Sequence, residues 1–109
     1  MGETVSVKTG SIKTVLDAIE SQLRVLDLWQ ANAPSAEALA SEAPFAIDTL
    51  APEAWLQWVF LPKMHTLLAQ AQPLPRGFAL EPYFSHVWQH EARYQPLLQL
   101  LQQLDMMSQ

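Results

Sequence analysis

The chain has 109 residues, half of them hydrophobic and only 16% charged, which excludes a disordered polymer and sets the size of one domain. Eleven acids against six bases give a formal charge of −5, so nothing draws it as a whole to nucleic acid or to an anionic membrane. Cysteine is absent, which removes disulfides, thiol nucleophiles and Cys-based zinc sites together.

The first ten residues carry no helical period and are expected to form a flexible N-terminus ahead of a domain spanning 11–107. From Ser11 the pattern changes. Ile12, Leu16, Ile19, Leu23 and Leu26 alternate spacings of four and three, a seam that packs helix on helix, with Val15 widening it. Glu20 and Arg24 sit one turn apart in the favourable order. This first helix is predicted over Ser11 to Gln30, with Trp29 in its last turn and Asn32 and Pro34 beyond its end.

Residues 34–47 read as a long connection with one helical turn, which Ser35 caps. The second helix is predicted from Pro52, suited to a first helical position, to Ala71. Asp48 reads as a cap for its free N–H groups. Pro62 removes one ladder hydrogen bond and predicts a kink. Placed at 100° per residue, Leu56, Phe60, Met64, Leu67 and Ala71 form a core stripe, with Leu61 and Leu68 at its edge. Trp55, Trp58, Val59 and Pro62 form an opposite face that turns polar at His65, Thr66 and Gln70.

Gln72, Pro73, Leu74, Pro75, Arg76 and Gly77 make a stiff extended turn, and Glu81 and Pro82 open a third helix with Tyr83, Phe84, Val87 and Trp88 on one stripe. A last helix starts at Gln95 and Pro96. Its stripe is Leu97, Leu100, Leu101 and Leu104, with Leu98 to the side and an end near Met106. Strand-like alternation is missing. The predicted class is therefore all-α, a small antiparallel four-helix bundle around a Pro-kinked central helix.

Few residues suggest chemistry. His86 and His90 have the one-turn spacing at which imidazoles share a metal, yet no glutamate stands between them in a zincin arrangement, and solvent-edge histidines explain the pair. Acids are scattered and only three glycines exist, so no phosphate loop can form. No catalytic residue, metal or cofactor is expected. The aromatic residues are more informative: Trp55 and Trp58 are expected to be covered by Phe45 and Ile47 from one side and by Phe78, Tyr83 or Phe84 from the other. The sharper alternative is a docking face for a peptide or partner helix, formed by Trp55, Trp58, Pro62, Met64, His65, Pro73, Leu74, Pro75 and Tyr83.

These residues carry a resemblance. Pro44, Phe45, Asp48 and Thr49, the run Trp55-Leu56-Gln57-Trp58-Val59, Pro62, Met64, His65, Leu67 and Leu68, then Gln72-Pro73-Leu74-Pro75, Pro82, Tyr83, Leu104 and Asp105 resemble the YqcC-like proteins, a bacterial family of unknown function. The resemblance covers about residues 11 to 106 and implies a small four-helix bundle. Family members are often labelled as related to tRNA pseudouridine synthase C. Lys8, Lys13, Arg24, Lys63, Arg76 and Arg93 are spread along the chain and make no basic patch, so direct RNA binding is not expected. The expected role is a non-catalytic interaction or accessory module in the cytoplasm, its partner a protein, a basic one suiting it best. The alternatives are participation in tRNA modification beside a pseudouridine synthase, and a small ligand held between helices near Trp58, Met64 and Tyr83.

Overall fold

The structure, a computed structural model, describes the backbone of residues 3–108 and the side chains of 12–108. Among them every regular element is helical: α1 (Glu3–Val25), α2 (Ala36–Leu39), α3 (Pro52–Trp55), α4 (Leu61–Ala69), α5 (Glu81–Val87) and α6 (Gln95–Met107). A π-turn over Leu56–Phe60 joins α3 and α4 into one central helix, and 3₁₀ turns lie at Pro44–Ala46 and Ala92–Tyr94. The all-α bundle is as the sequence predicts. Its four limbs are α1, the central helix, α5 and α6, with α2 an added turn in the connection.

Apolar spacing decides which faces meet. Ile12, Val15, Leu16, Ile19 and Leu23 of α1 are buried against α4 and α6, the seam read from their spacing. From the central helix come Leu56, Phe60, Leu61 and Met64, from α5 Phe84, and from α6 Leu97, Leu98, Leu101 and Leu104. Leu98, expected to the side, is 5% exposed, because α6 is flanked by both α1 and α5 and needs a wider apolar face than one seam.

Two boundaries differ from expectation. Helix α1 begins at Glu3 rather than Ser11, since no proline interrupts the ladder there. The expectation of a flexible N-terminus over residues 1–10 falls on residues of which 1 and 2, and the side chains of all ten, lie outside the described residues. At its other end α1 stops at Val25, five residues early, because Asp27 turns left-handed (φ 62°) and closes the helix. The Leu28 N–H bonds the Leu23 carbonyl at 2.8 Å and the Asp27 N–H the Arg24 carbonyl at 3.1 Å, the paired bonds of a Schellman end. Trp29 lies past the helix, its ring 4.3 Å beneath the Arg24 guanidinium. Arg24 also bonds Glu20 at 3.1 Å, as their spacing predicts.

The effect of Pro62 appears upstream of it. Proline offers the Trp58 carbonyl no N–H. In the turn before it the ladder widens, and the Leu61 N–H reaches the Leu56 carbonyl, five residues back.

Candidate functional site

The wide turn sets the aromatic geometry. In a regular helix positions five apart diverge by about 140°. Here Trp55 and Phe60 stack, with ring centroids 5.4 Å apart and planes 25° from parallel. Phe45 enters beside them from the connection. Its ring meets Trp55 edge-on at 4.9 Å and lies flat on Tyr83 at 4.2 Å, the planes within 8°. Phe84 closes the group, edge-on to both Tyr83 and Phe45.

Reaching that slot requires an uncommon backbone. Phe45 (φ 56°) and Ala46 (φ 49°) are consecutive left-handed residues, each costing about 1–2 kcal/mol. Ring burial and stacking offset this: Ala46 packs with Leu50 and Ala54, and Phe45 ties the loop to the aromatic group. Burial among these rings pushes the Tyr83 hydroxyl above its ordinary pKa of 10.0, because the phenolate would be poorly solvated.

Within the wide turn, between Trp55 and Phe60, Gln57 is 4% exposed in an otherwise apolar run. Its side chain accepts from the Gln30 N–H at 2.7 Å and donates to the Gln30 carbonyl at 2.8 Å, while the Trp58 indole N–H donates to the Gln30 side chain at 2.9 Å. These three bonds hold the segment after α1 against the central helix.

At the far end of the central helix a surface groove of about 440 Å³ opens, with Met64 and Leu68 on one side, Leu104 and Met107 on another, and Pro73 to Arg76 along the rim. Its walls are fixed from two directions. Ala71 (φ 53°) ends α4 with another Schellman pair, Gln72 to Leu67 at 2.9 Å and Ala71 to Leu68 at 3.2 Å. The Gly77 N–H bonds the Ser108 carbonyl at 2.8 Å, and the Asp105 carboxylate accepts the N–H groups of Leu80 and Glu81 at 2.7 and 2.8 Å. Asp105 thus caps α5 from a different helix.

The nine residues singled out from the sequence divide between these places. Trp55 and Tyr83 belong to the aromatic group, half-buried, with Phe45 between them. Trp58 is half-buried and bonded to Gln30. Met64, Pro73, Leu74 and Pro75 line the groove. Pro62 is exposed and His65 half-buried outside it. Trp58 and Tyr83 are not among the groove's lining, so the geometry does not place them with Met64 around one ligand.

Other expectations are corrected. Ile47, expected as a cover for the tryptophans, is instead 58% exposed to solvent. Of the expected covering rings, Phe45 and Phe84 lie against Trp55 at 4.9 and 6.2 Å, whereas Phe78 meets Phe60 at 5.8 Å. Asp48 does not cap the central helix, whose N-cap is Ala51 with no side-chain bond; it accepts instead from the Ser41 hydroxyl at 2.5 Å. Helix α5 ends at Val87, so His86 and His90 do not share a helical face. Among the described residues no three His, Asp or Glu side chains gather as metal ligands would. Gln57 and Asp105 are the polar residues whose roles the sequence reading missed. A lone glutamine inside a greasy run was the available signal for the first, and nothing local marks the second.

Comparison with known proteins agrees with the fold. A family model described as "tRNA pseudouridine synthase C" matches residues 11–107. An uncharacterised protein of Haemophilus influenzae is 42% identical over 86 residues, 79% of this chain and 81% of that one. The uncharacterised protein YqcC of Escherichia coli is 42% identical over 73 residues, 67% of each chain. A Pectobacterium carotovorum protein named tRNA pseudouridine synthase C is 45% identical over 71 residues, 65% of this chain but only 19% of that much longer one. The solution structure of YqcC from E. coli superimposes with a TM-score of 0.81 at 35% identity, covering 92% of this chain and 86% of that one.

Proposed function

The chain belongs to the YqcC-like family, and from that premise we propose that it is a non-catalytic accessory module whose partner is a tRNA pseudouridine synthase. The observation that carries this reading is the Pectobacterium match: a segment like this chain, 19% of the length, within a protein named tRNA pseudouridine synthase C. Two units on one chain meet at high effective concentration, which favours a working contact between them. The acidic charge of −5 and the scattered bases suit contact with an RNA-binding enzyme better than contact with its RNA. In this reading Met64, Pro73, Leu74 and Pro75 form the docking cleft. The groove is apolar, rimmed by stiff prolines, and large enough for two or three partner side chains.

The test pairs the purified chain with the tRNA pseudouridine synthase C of its host, reading association by calorimetry and uridine isomerisation in tRNA. Expected are a micromolar complex, no turnover by the chain alone, and about tenfold weaker association for Leu74→Asp. Turnover by the chain alone overturns the non-catalytic reading. Absence of a complex overturns the accessory one.

A further inference from the structure

The acidic excess is segregated. Residues 25–62 hold Asp27, Glu37, Glu42, Asp48 and Glu53 and no lysine or arginine, while the remaining six acids are matched by six bases. Asp27 lies close enough to raise the Arg93 pKa. The other four have no salt-bridge partner among the described residues, and Glu37, Glu42 and Asp48 are exposed on the connection between α1 and the central helix.

That same connection presents apolar side chains to water. Leu39 is 39% exposed and Ile47 58% exposed, although Ala46 and Leu50 beside Ile47 are buried. The loop is braced rather than loose: the Thr49 hydroxyl donates to the Ala38 carbonyl at 2.7 Å, the Ser41 hydroxyl to Asp48, and Ser35 caps α2 through the Ala38 N–H at 3.1 Å. These bonds strap α2 to the turn that carries Ile47. Two exposed aliphatic groups therefore share one ordered connection with carboxylates that have no cationic partner among the described residues, at the opposite end of the central helix from the groove, where Ala38 and Ala46 pack with Ala54.

We infer that this connection is a second docking surface, for a cationic amphipathic segment of a partner protein whose apolar side chains cover Leu39 and Ile47 and whose lysines or arginines face Glu37, Glu42 and Asp48. Charge selects this occupant. A second copy of the chain would bring its own acids against these in a two-fold interface. Nucleic acid and anionic lipid are repelled. The surface does not depend on the identity of the partner proposed above.

The probe is a labelled helical peptide of repeated Leu-Lys-Lys-Leu, with a Leu-Glu-Glu-Leu peptide as control, titrated into the whole chain by fluorescence anisotropy and amide chemical shifts. Saturable binding is expected for the lysine peptide alone, with shifts confined to residues 35–50 and affinity falling steeply with salt. The Leu39→Ser/Ile47→Ser variant, altered only at exposed positions, should bind about tenfold more weakly. The proposal is overturned by undiminished binding to that variant, by shifts centred on the Pro73–Phe78 groove, by equal binding of the glutamate peptide, or by concentration-dependent self-association that the variant abolishes. Because no synthase enters this titration, it fails or succeeds separately from the accessory reading.

Discussion

The side-chain amide of Gln57 pairs with both backbone groups of Gln30, accepting from its N–H at 2.7 Å and donating to its carbonyl at 2.8 Å, as a neighbouring strand would. Removing it orphans a donor and an acceptor in a partly buried place. Gln57→Ala should lower unfolding stability by about 2–3 kcal/mol, read as a lower urea midpoint at unchanged slope. Gln57→Glu should cost more, since the donor is lost and a carboxylate is set against the Gln30 carbonyl.

Trp58 tests the same junction from the other side. Trp58→Phe removes the indole N–H bonded to Gln30 together with part of the packed ring, so about 1–2 kcal/mol is expected. In a Gln30→Ala background the loss should shrink to the packing part, because the acceptor is already gone. A double-mutant cycle with no coupling would contradict the bond.

Tyr83 gives a pH signature. In a Tyr94→Phe background it is the sole phenol, and its ultraviolet titration should lie above 10.0 and move back toward that value on Phe45→Ala, which removes the ring stacked on it. A raised folded pKa means that the unfolded chain ionises first. The associated stability is full below pH 10.0 and is lost as pH climbs through the folded value.

Ala71 is an exposed alanine at φ 53°, where glycine is the better residue. Ala71→Gly should stabilise by about 0.5–1 kcal/mol, visible as a melting temperature higher by a few degrees. Ala46→Gly, at φ 49°, should gain less, since the lost methyl is packed against Leu50 and Ala54.

Asp105 holds the start of α5 through two charge-assisted bonds. Asp105→Ala should cost about 1–2 kcal/mol and speed hydrogen exchange at Leu80 and Glu81 before the rest of α5.

What could be read from the sequence was what repeats locally. The seam Ile12 to Leu23, the core face Leu56 to Met64 and the helix starts at Pro52 and Glu81 follow from period and capping, and each is where it was expected. The losses came where long-range contacts outweigh local preference. Asp27 and Ala71 adopt a conformation that their residue types disfavour, so α1 ended earlier than its apolar pattern suggested. Gln57 and Asp105 act on partners 27 and at most 25 residues away, separations that periodicity cannot see. Trp55 and Phe60, placed on opposite faces by a uniform 100° step, stack because that step does not hold through a wide turn.

That wide turn also makes the central helix unevenly tolerant of changes in length. A π-turn carries one residue more than an α-turn while returning the chain to nearly the same phase. Deleting Val59 would let the segment close as ordinary helix, with Trp55 and Met64 still directed as they are now. The same deletion at Thr66 would swing Leu68 around by about 100°, away from the groove wall it shares with Met64.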